Sequence, residues 1–123
     1  MLSDGELTAT VAVKDLAAGK KFYGETLGLK QVDENPGGIM LGSASGKIFV
    51  YQSDTAGSGR ATCANWHVDD ISSAVAELKG KGITFEHYDM PGATMDGDVH
   101  VMGGIKAAWF KDPDGNILSV ASD

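Results

Sequence analysis

Cysteine is almost absent from this sequence, which holds a single one, Cys63, among 123 residues. An internal disulfide needs two cysteines and a thiolate zinc site needs several, so the sequence excludes both. A lone thiol fits a reducing compartment. We therefore expect a cytoplasmic protein.

Positive charge is also scarce, with 10 Lys and Arg against 17 Asp and Glu and a formal net charge of -7 at pH 7. Nucleic acid and anionic membranes would repel such a chain, so neither is expected as a partner. No apolar run approaches membrane length, and the start MLSDGELTAT lacks the basic and apolar regions of a signal peptide.

What the chain does contain is one pattern twice. TATVAVKDL (8–16) and CANWHVDDI (63–71) are alternating strand patterns that end at Asp15 and Asp70, each placed to cap a helix. The later segments 37–53 and 103–122 also align, Gly46 with Gly115 and Val50 with Ser119. The repeat predicts an α+β fold of two tandem βαβββ modules.

The apolar balance of 42%, with 22% charged residues, is typical of one globular domain over residues 1–123. Within it we expect module 1 at about 1–54, a polar linker at about 54–62 and module 2 at 63–123. Segment 86–102, punctuated by Pro and Gly, follows the strand pattern ITFEH. We expect it to form a loop, either over a binding site or as surface decoration.

The stretch AWFKDPDGNILSV (108–120) predicts a β-hairpin with its turn at Pro113, Asp114 and Gly115. Counting back from the turn places Phe110 opposite Leu118 and Trp109 opposite Ser119. Alternation then assigns one apolar set of side chains to a face under the helices. That set is Val11, Val13, Phe49, Tyr51, Ala64, Trp66, Val68, Phe110, Leu118 and Val120.

The opposite sheet face combines large apolar side chains with polar ones. It is predicted to carry Thr8, Thr10, Ala12, Ile48, Val50, Gln52, Cys63, Asn65, His67, Trp109, Ile117 and Ser119. This mixture is typical of a pocket wall. A half-solvated sheet or a subunit interface is the alternative interpretation.

These segments resemble the vicinal oxygen chelate superfamily, which includes glyoxalase I, bleomycin-resistance proteins and extradiol dioxygenases. The resemblance rests on VKDLAAGKKFYGETLGL, VDDISSAVAELKGKGI and, most specifically, WFKDPDGNILSV. It implies that the sheets of the two modules form a cup that binds small molecules. It also implies a homodimer.

Metal-dependent members of the superfamily hold a divalent ion through His, Gln or Glu at four strand positions. The resemblance carries these positions to Thr8, Val50, Cys63 and Ser119. Valine has no ligand atom, and isolated hydroxyls are weak ligands. We therefore expect no metal and no other cofactor at these positions.

His67 is the candidate for proton chemistry, although a structural histidine is an equal alternative. Trp109 offers a flat surface for a ring, and Tyr88 lies where a lid would begin. The predicted ligand-binding residues are Thr8, Thr10, Gln52, Cys63, Asn65, His67, Tyr88, Trp109 and Ser119. Asp96, Asp98 and His100, at alternate positions, give a weak signal for a metal.

Three functions are compatible with the sequence. The first is a metal-free binding protein for a small aromatic or cationic molecule. The second is a glyoxalase-like enzyme, a lyase or isomerase, that uses His67 or binds a metal elsewhere. The third is an interaction module whose open sheet face is covered by another chain.

Overall fold

The computed structural model describes residues 1–4 and 6–123, which group into two compact units. The first unit contains residues 1–59 and 113–116, and the second contains 60–112 and 117–123. Within the described residues, no helix is both long and apolar enough to cross a bilayer.

The first unit is a four-stranded sheet with a helix between its first two strands. After a short 3₁₀ turn at Leu2–Asp4, its elements are β1 (Ala9–Val13), α1 (Leu16–Lys20), β2 (Lys30–Asn35), β3 (Gly38–Ser43) and β4 (Gly46–Gln52). The strand order is β1-β4-β3-β2. The β1 and β4 strands run parallel, and the other pairs are antiparallel.

Helix α1 begins where the sequence predicts, because the Asp15 side chain accepts a hydrogen bond from the Ala17 amide. The helix continues as a π-helical segment, Lys21–Thr26, which buries Phe22 and Tyr23. The wider π-helical turn changes which side chains face the sheet. A 3.6-residue pattern therefore does not describe which side chains of this segment are buried.

The predicted faces of β4 are wrong. Val50 is the register partner of Val11, and Phe49 is the partner of Thr10. Ile48 and Val50 are therefore in the core beneath the helix, 4% and 0% exposed, whereas Phe49 and the stacked Tyr51 occupy the other face. The error is a one-residue slip in the alignment of the repeat, and such a slip exchanges the two faces of a strand.

The second unit repeats the arrangement with more strands. Its elements are β5 (Thr62–His67), α2 (Ile71–Gly80), β6 (Phe85–Glu86), β7 (Thr94–Asp96), β8 (Val99–Met102), β9 (Ile105–Lys111) and β10 (Ile117–Ser122). The strand order is β5-β10-β9-β8-β7, with β6 paired to β9. Much of the expected loop 86–102 is therefore a strand hairpin, and irregular backbone is confined to 87–93.

Helix α2 packs its predicted apolar face inward, with Ile71 and Val75 buried. It ends before Gly82, whose φ of +92° lies in the left-handed region that favours glycine. At its start, the Asp70 carboxylate accepts hydrogen bonds from the amides of Ser72 and Ser73 and from the Ser73 hydroxyl. Both helix caps predicted from the sequence are thus confirmed.

Replacing Asp70 with alanine is expected to lower the thermal unfolding temperature at neutral pH. The hydrogen bond from the Ser73 hydroxyl, followed by those from the amides, holds the pKa of Asp70 below its ordinary value. The stabilisation is therefore present above the unfolded-state pKa and is lost as pH falls through the lower folded-state pKa. Thermal unfolding of both proteins from neutral to strongly acidic pH measures this difference.

The Asp70→Ser variant, which keeps a capping oxygen, should lose less stability than Asp70→Ala. A difference between wild type and Asp70→Ala that stays constant into strong acid would contradict the assigned origin of the stabilisation.

The predicted hairpin is present as β9 and β10. Phe110 pairs with Leu118 and Trp109 pairs with Ser119, as expected. Gly115 at the turn has a φ of +93°. Phe110 and Leu118 are 1% and 0% exposed, so this face of the hairpin is the core of the second unit.

Candidate functional site

Three aromatic side chains of the second unit pack against one another on the sheet face opposite the core. We call Tyr88, His100 and Trp109 the ring cluster. The ring centroid of Trp109 lies 4.9 Å from that of His100 and 5.7 Å from that of Tyr88, and both pairs of rings are edge to face. The Tyr88 and His100 centroids are 6.1 Å apart. Such geometry is favourable for aromatic rings.

Strand pairing explains why these rings meet. His100 on β8 is the partner of Ala107 on β9, and Trp109 follows two residues later on the same face. Glu86 on β6 is the partner of Trp109. Tyr88, two residues beyond Glu86, therefore lies on the same side of the sheet as Trp109.

Two hydrogen bonds fix the orientation of the ring cluster. The indole Nε1 of Trp109 donates to Thr62 Oγ1 over 3.0 Å, and the Tyr88 amide donates to His100 Nε2 over 3.0 Å. An Nε2 atom that accepts a hydrogen bond carries no proton, so neutral His100 has its proton on Nδ1. The backbone of Tyr88 thus selects one tautomer of His100.

Beside the ring cluster lies an open pocket of about 350 Å³. Trp109 and Tyr88 form part of its wall, and among the described residues that line it Arg60 carries the only charge. The lining residues are Arg60, Ala61, Thr62, Tyr88, Met90, Trp109 and Ile117. This combination of apolar surface with a few polar groups is typical of small-molecule sites.

Ser119 and Asn65 are hydrogen-bonded to each other next to Trp109. The Ser119 hydroxyl donates to Asn65 Oδ1 over 2.7 Å, and Ser119 is 5% exposed. Because Ser119 is also the register partner of Trp109, the predicted residues Asn65, Trp109 and Ser119 do share one face.

Cys63 lies on the same strand as Asn65, and its thiol donates to the carbonyl of Ile117. Partial burial of the sulfur, followed by the negative charge of Asp112, raises the pKa of Cys63 above its ordinary value. A thiol with a raised pKa is protonated at neutral pH and is a poor nucleophile. The structure thus gives Cys63 no activating partner in the part of the chain that it describes.

His67 stands apart from the pocket wall at the end of β5. Its side chain is 61% exposed, and Nε2 lies 3.5 Å from a carboxylate oxygen of Asp123. His67 is not among the residues that line the pocket beside Trp109, and its proposed catalytic role stays a prediction.

The predicted residues of the first unit do not all share a face. Thr10 is the partner of Phe49, whereas Gln52 is the partner of Val13 on the opposite face. The prediction that Thr10 and Gln52 face one ligand is therefore wrong, for the same reason of register. Thr8 precedes β1 and is half-buried.

The observed strand register also changes one of the four positions that the superfamily resemblance assigned to metal ligands. Val11 pairs with Val50 just as Trp66 pairs with Val120, so Phe49, rather than Val50, corresponds to Ser119 in the repeat. The donor set becomes Thr8, Phe49, Cys63 and Ser119. A phenyl ring, a protonated thiol and two hydroxyls do not fit a divalent metal ion.

Asp98 shows why the alternating acidic residues gave a misleading signal. Its carboxylate oxygens accept from Lys79 Nζ over 2.8 Å and from His87 Nε2 over 2.7 Å. The hydrogen bond from His87, followed by that from Lys79, lowers the pKa of Asp98. Across residues 1–4 and 6–123, no group of three or more His, Cys, Asp or Glu is placed to hold a metal.

The sequence points to His100 only as part of a weak metal signal, and it does not point to Thr62 at all. The alternation in VHVM, with apolar neighbours on both sides of His100, marks a strand that turns the histidine away from the core. No signal in the sequence pairs Thr62 with Trp109, because 47 residues separate them.

The model of the Glyoxalase/Bleomycin resistance protein/Dioxygenase superfamily matches residues 7–120. No curated protein is similar enough to the chain to count as a match.

Solved structures match over nearly the whole chain. A glyoxalase family protein from Enterococcus faecalis is 23% identical with a TM-score of 0.72, and covers 98% of this chain and 99% of its own. The antibiotic-binding protein TnmS3 from Streptomyces sp. CB03234 is 23% identical with a TM-score of 0.67, at 96% of both chains. A glyoxalase/bleomycin resistance protein from the same organism is 24% identical with a TM-score of 0.66, and covers 94% of this chain and 98% of its own. These likenesses show the fold.

Proposed function

Since the chain belongs to the Glyoxalase/Bleomycin resistance protein/Dioxygenase superfamily, we propose that it is a metal-free binding protein for a small molecule with a planar ring. The ligand lies in the pocket beside Trp109. The observation that carries the proposal is an indole fixed by Thr62 at the wall of an open, mainly apolar pocket.

The pocket favours a neutral or anionic ligand over a cationic one. Its lining includes Arg60 and no carboxylate, and no ion pair joins Arg60 to an acidic side chain within the described sequence. A cation bound there would be desolvated without a counter-charge, which is unfavourable. An aromatic ligand is therefore preferred over the cationic one.

The metal-free character rests on the chemistry of the four carried-over positions, Thr8, Phe49, Cys63 and Ser119, which lack the carboxylate and imidazole donors that a divalent ion needs. The antibiotic-binding protein TnmS3 among the structural neighbours supports small-molecule binding as the class of function.

An enzymatic function, as a lyase or isomerase acting through His67, is the alternative. Its support is the exposed imidazole of His67 and the nearby Asp123 carboxylate. The binding function is preferred because the pocket lies at Trp109 and does not include His67.

The proposal extends to the assembly and location of the protein. We propose a homodimer, which is what the resemblance to the superfamily implies. We also propose a cytoplasmic location and no binding to nucleic acid or membranes, in line with the single cysteine and the net charge of -7. Light scattering during gel filtration measures the oligomeric state directly.

Binding should shift the NMR signal of the Trp109 indole N–H and leave that of Trp66 nearly unchanged. The reason is that Trp109 lines the pocket, whereas Trp66 stacks against Phe110 on the core face. Two-dimensional spectra of labelled protein, titrated with a panel of one- and two-ring aromatic compounds, make this measurement. A panel that binds without moving the Trp109 signal would place the ligand elsewhere.

A further inference from the structure

Two buried polar atoms in the ring cluster have no hydrogen-bond partner within the described residues. They are Tyr88 Oη and His100 Nδ1, and His100 as a whole is 0% exposed. Buried polar groups in proteins are nearly always paired, because an unpaired one keeps the cost of losing water without compensation. Two such atoms on touching side chains therefore call for a missing partner.

The hydrogen bond of the other imidazole nitrogen identifies what that partner must be. Because His100 Nε2 accepts from the Tyr88 amide, neutral His100 presents Nδ1–H as a donor. The phenol of Tyr88 can also donate. The matching partner is a group that accepts hydrogen bonds.

We infer that Tyr88 Oη and His100 Nδ1–H together bind an oxygen acceptor attached to the ring of the ligand. This inference rests on the proposed function, since Trp109 holds the ring. The ligand class is then an aromatic compound with a carbonyl or carboxylate oxygen beside the ring. Arg60 on the pocket wall suits a negatively charged form of that group.

Access to His100 requires Tyr88 to move. Tyr88 and Trp109 line the pocket, and His100 lies behind them, in contact with both rings. Tyr88 belongs to the irregular segment 87–93, where no strand pairing holds the side chain. Its side chain can turn about its own bonds while its amide stays anchored on His100 Nε2, so the ligand oxygen replaces the contact between the two rings.

A pair of matched probes tests the inference. Acetylnaphthalene and ethylnaphthalene, substituted at the same ring position, have nearly the same shape and differ by one carbonyl oxygen. The wild-type protein should bind the ketone about three- to tenfold more tightly for each hydrogen bond formed. NMR titration of the Trp109 indole N–H gives both dissociation constants.

Two variants assign the donors. Tyr88→Phe removes only the hydroxyl, and His100→Gln keeps an acceptor for the Tyr88 amide while removing Nδ1–H. Each should weaken ketone binding about three- to tenfold and leave ethylnaphthalene binding unchanged. Tyr51→Phe, the same change in the first unit, is the matched control and should alter neither constant.

The outcomes separate this inference from the proposed function. If both probes move the Trp109 signal with equal affinity, and Tyr88→Phe changes neither dissociation constant, ligand binding beside Trp109 stands. The inferred binding of an oxygen by Tyr88 and His100 is then overturned. If neither probe moves the signal, the proposed function fails and the inference fails with it. Tyr88→Phe is decisive even if His100→Gln does not fold, because it removes a single buried oxygen.

Discussion

Replacing Trp109 with alanine is expected to weaken binding of ring ligands at least about 30-fold, equal to about 2 kcal/mol. The indole is the largest flat surface of the pocket, and its Nε1–H is already satisfied by Thr62. Its removal leaves the ligand without a stacking partner. Calorimetric or NMR titration with a ligand of known affinity for the wild type measures the loss.

The second tryptophan supplies the matched control for this change. Trp66 lies in the same unit, yet its register partner is Val120 on the core face. Trp66→Ala should lower the free energy of unfolding and leave the affinity of the folded protein nearly unchanged. Equal losses of affinity in the two variants would show that Trp109 affects binding only by stabilising the folded protein and does not contact the ligand.

Replacing Leu118 with alanine is expected to lower the free energy of unfolding by about 2–5 kcal/mol. Leu118 is 0% exposed, and its partners across the sheet are Phe110 and Ala64. Truncation of the side chain leaves a cavity that rigid neighbouring strands fill only in part. Denaturant unfolding gives the difference.

The same substitution at an exposed leucine is the control for Leu118. Leu7 is 95% exposed, so Leu7→Ala should change the free energy of unfolding by less than about 0.5 kcal/mol. A small effect at Leu118 would mean that the face assigned to the core of the second unit is wrong.

Local chemistry made much of the fold predictable. Asp15 and Asp70 are typical residues at a helix N-terminus, and the turn at Pro113 to Gly115 fixes the pairing of Trp109 with Ser119. These signals work because each depends on residues within one turn or one hairpin. They predict that Asn65, Trp109 and Ser119 share one face of the second unit, and the strand pairing agrees.

The first unit lacked such a local marker on β4. The sequence repeat aligns Gly46 with Gly115 and so matches the short turn at 44–45, between β3 and β4, to the longer hairpin turn of the second half. The two turns differ in length, and the resulting one-residue slip exchanged Val50 with Phe49. Register is set by pairing across the sheet, which one strand's pattern does not contain.

The ring cluster was only partly predictable for a related reason. Trp109 and Tyr88 stand out by residue type, whereas the sequence pattern places His100 in a loop beside acidic residues. The structure places it in β8, and its contacts with Trp109 depend on the pairing of β8 with β9. No local pattern specifies that pairing.

The hydrogen bond from Trp109 to Thr62 also affects the entropy of binding. A free indole would sample several rotamers and would lose that freedom when a ligand packed against it. The bond to Thr62 restricts the indole before any ligand arrives. Preorganisation of this kind lets more of the contact energy appear as affinity, because the conformational cost has already been met during folding.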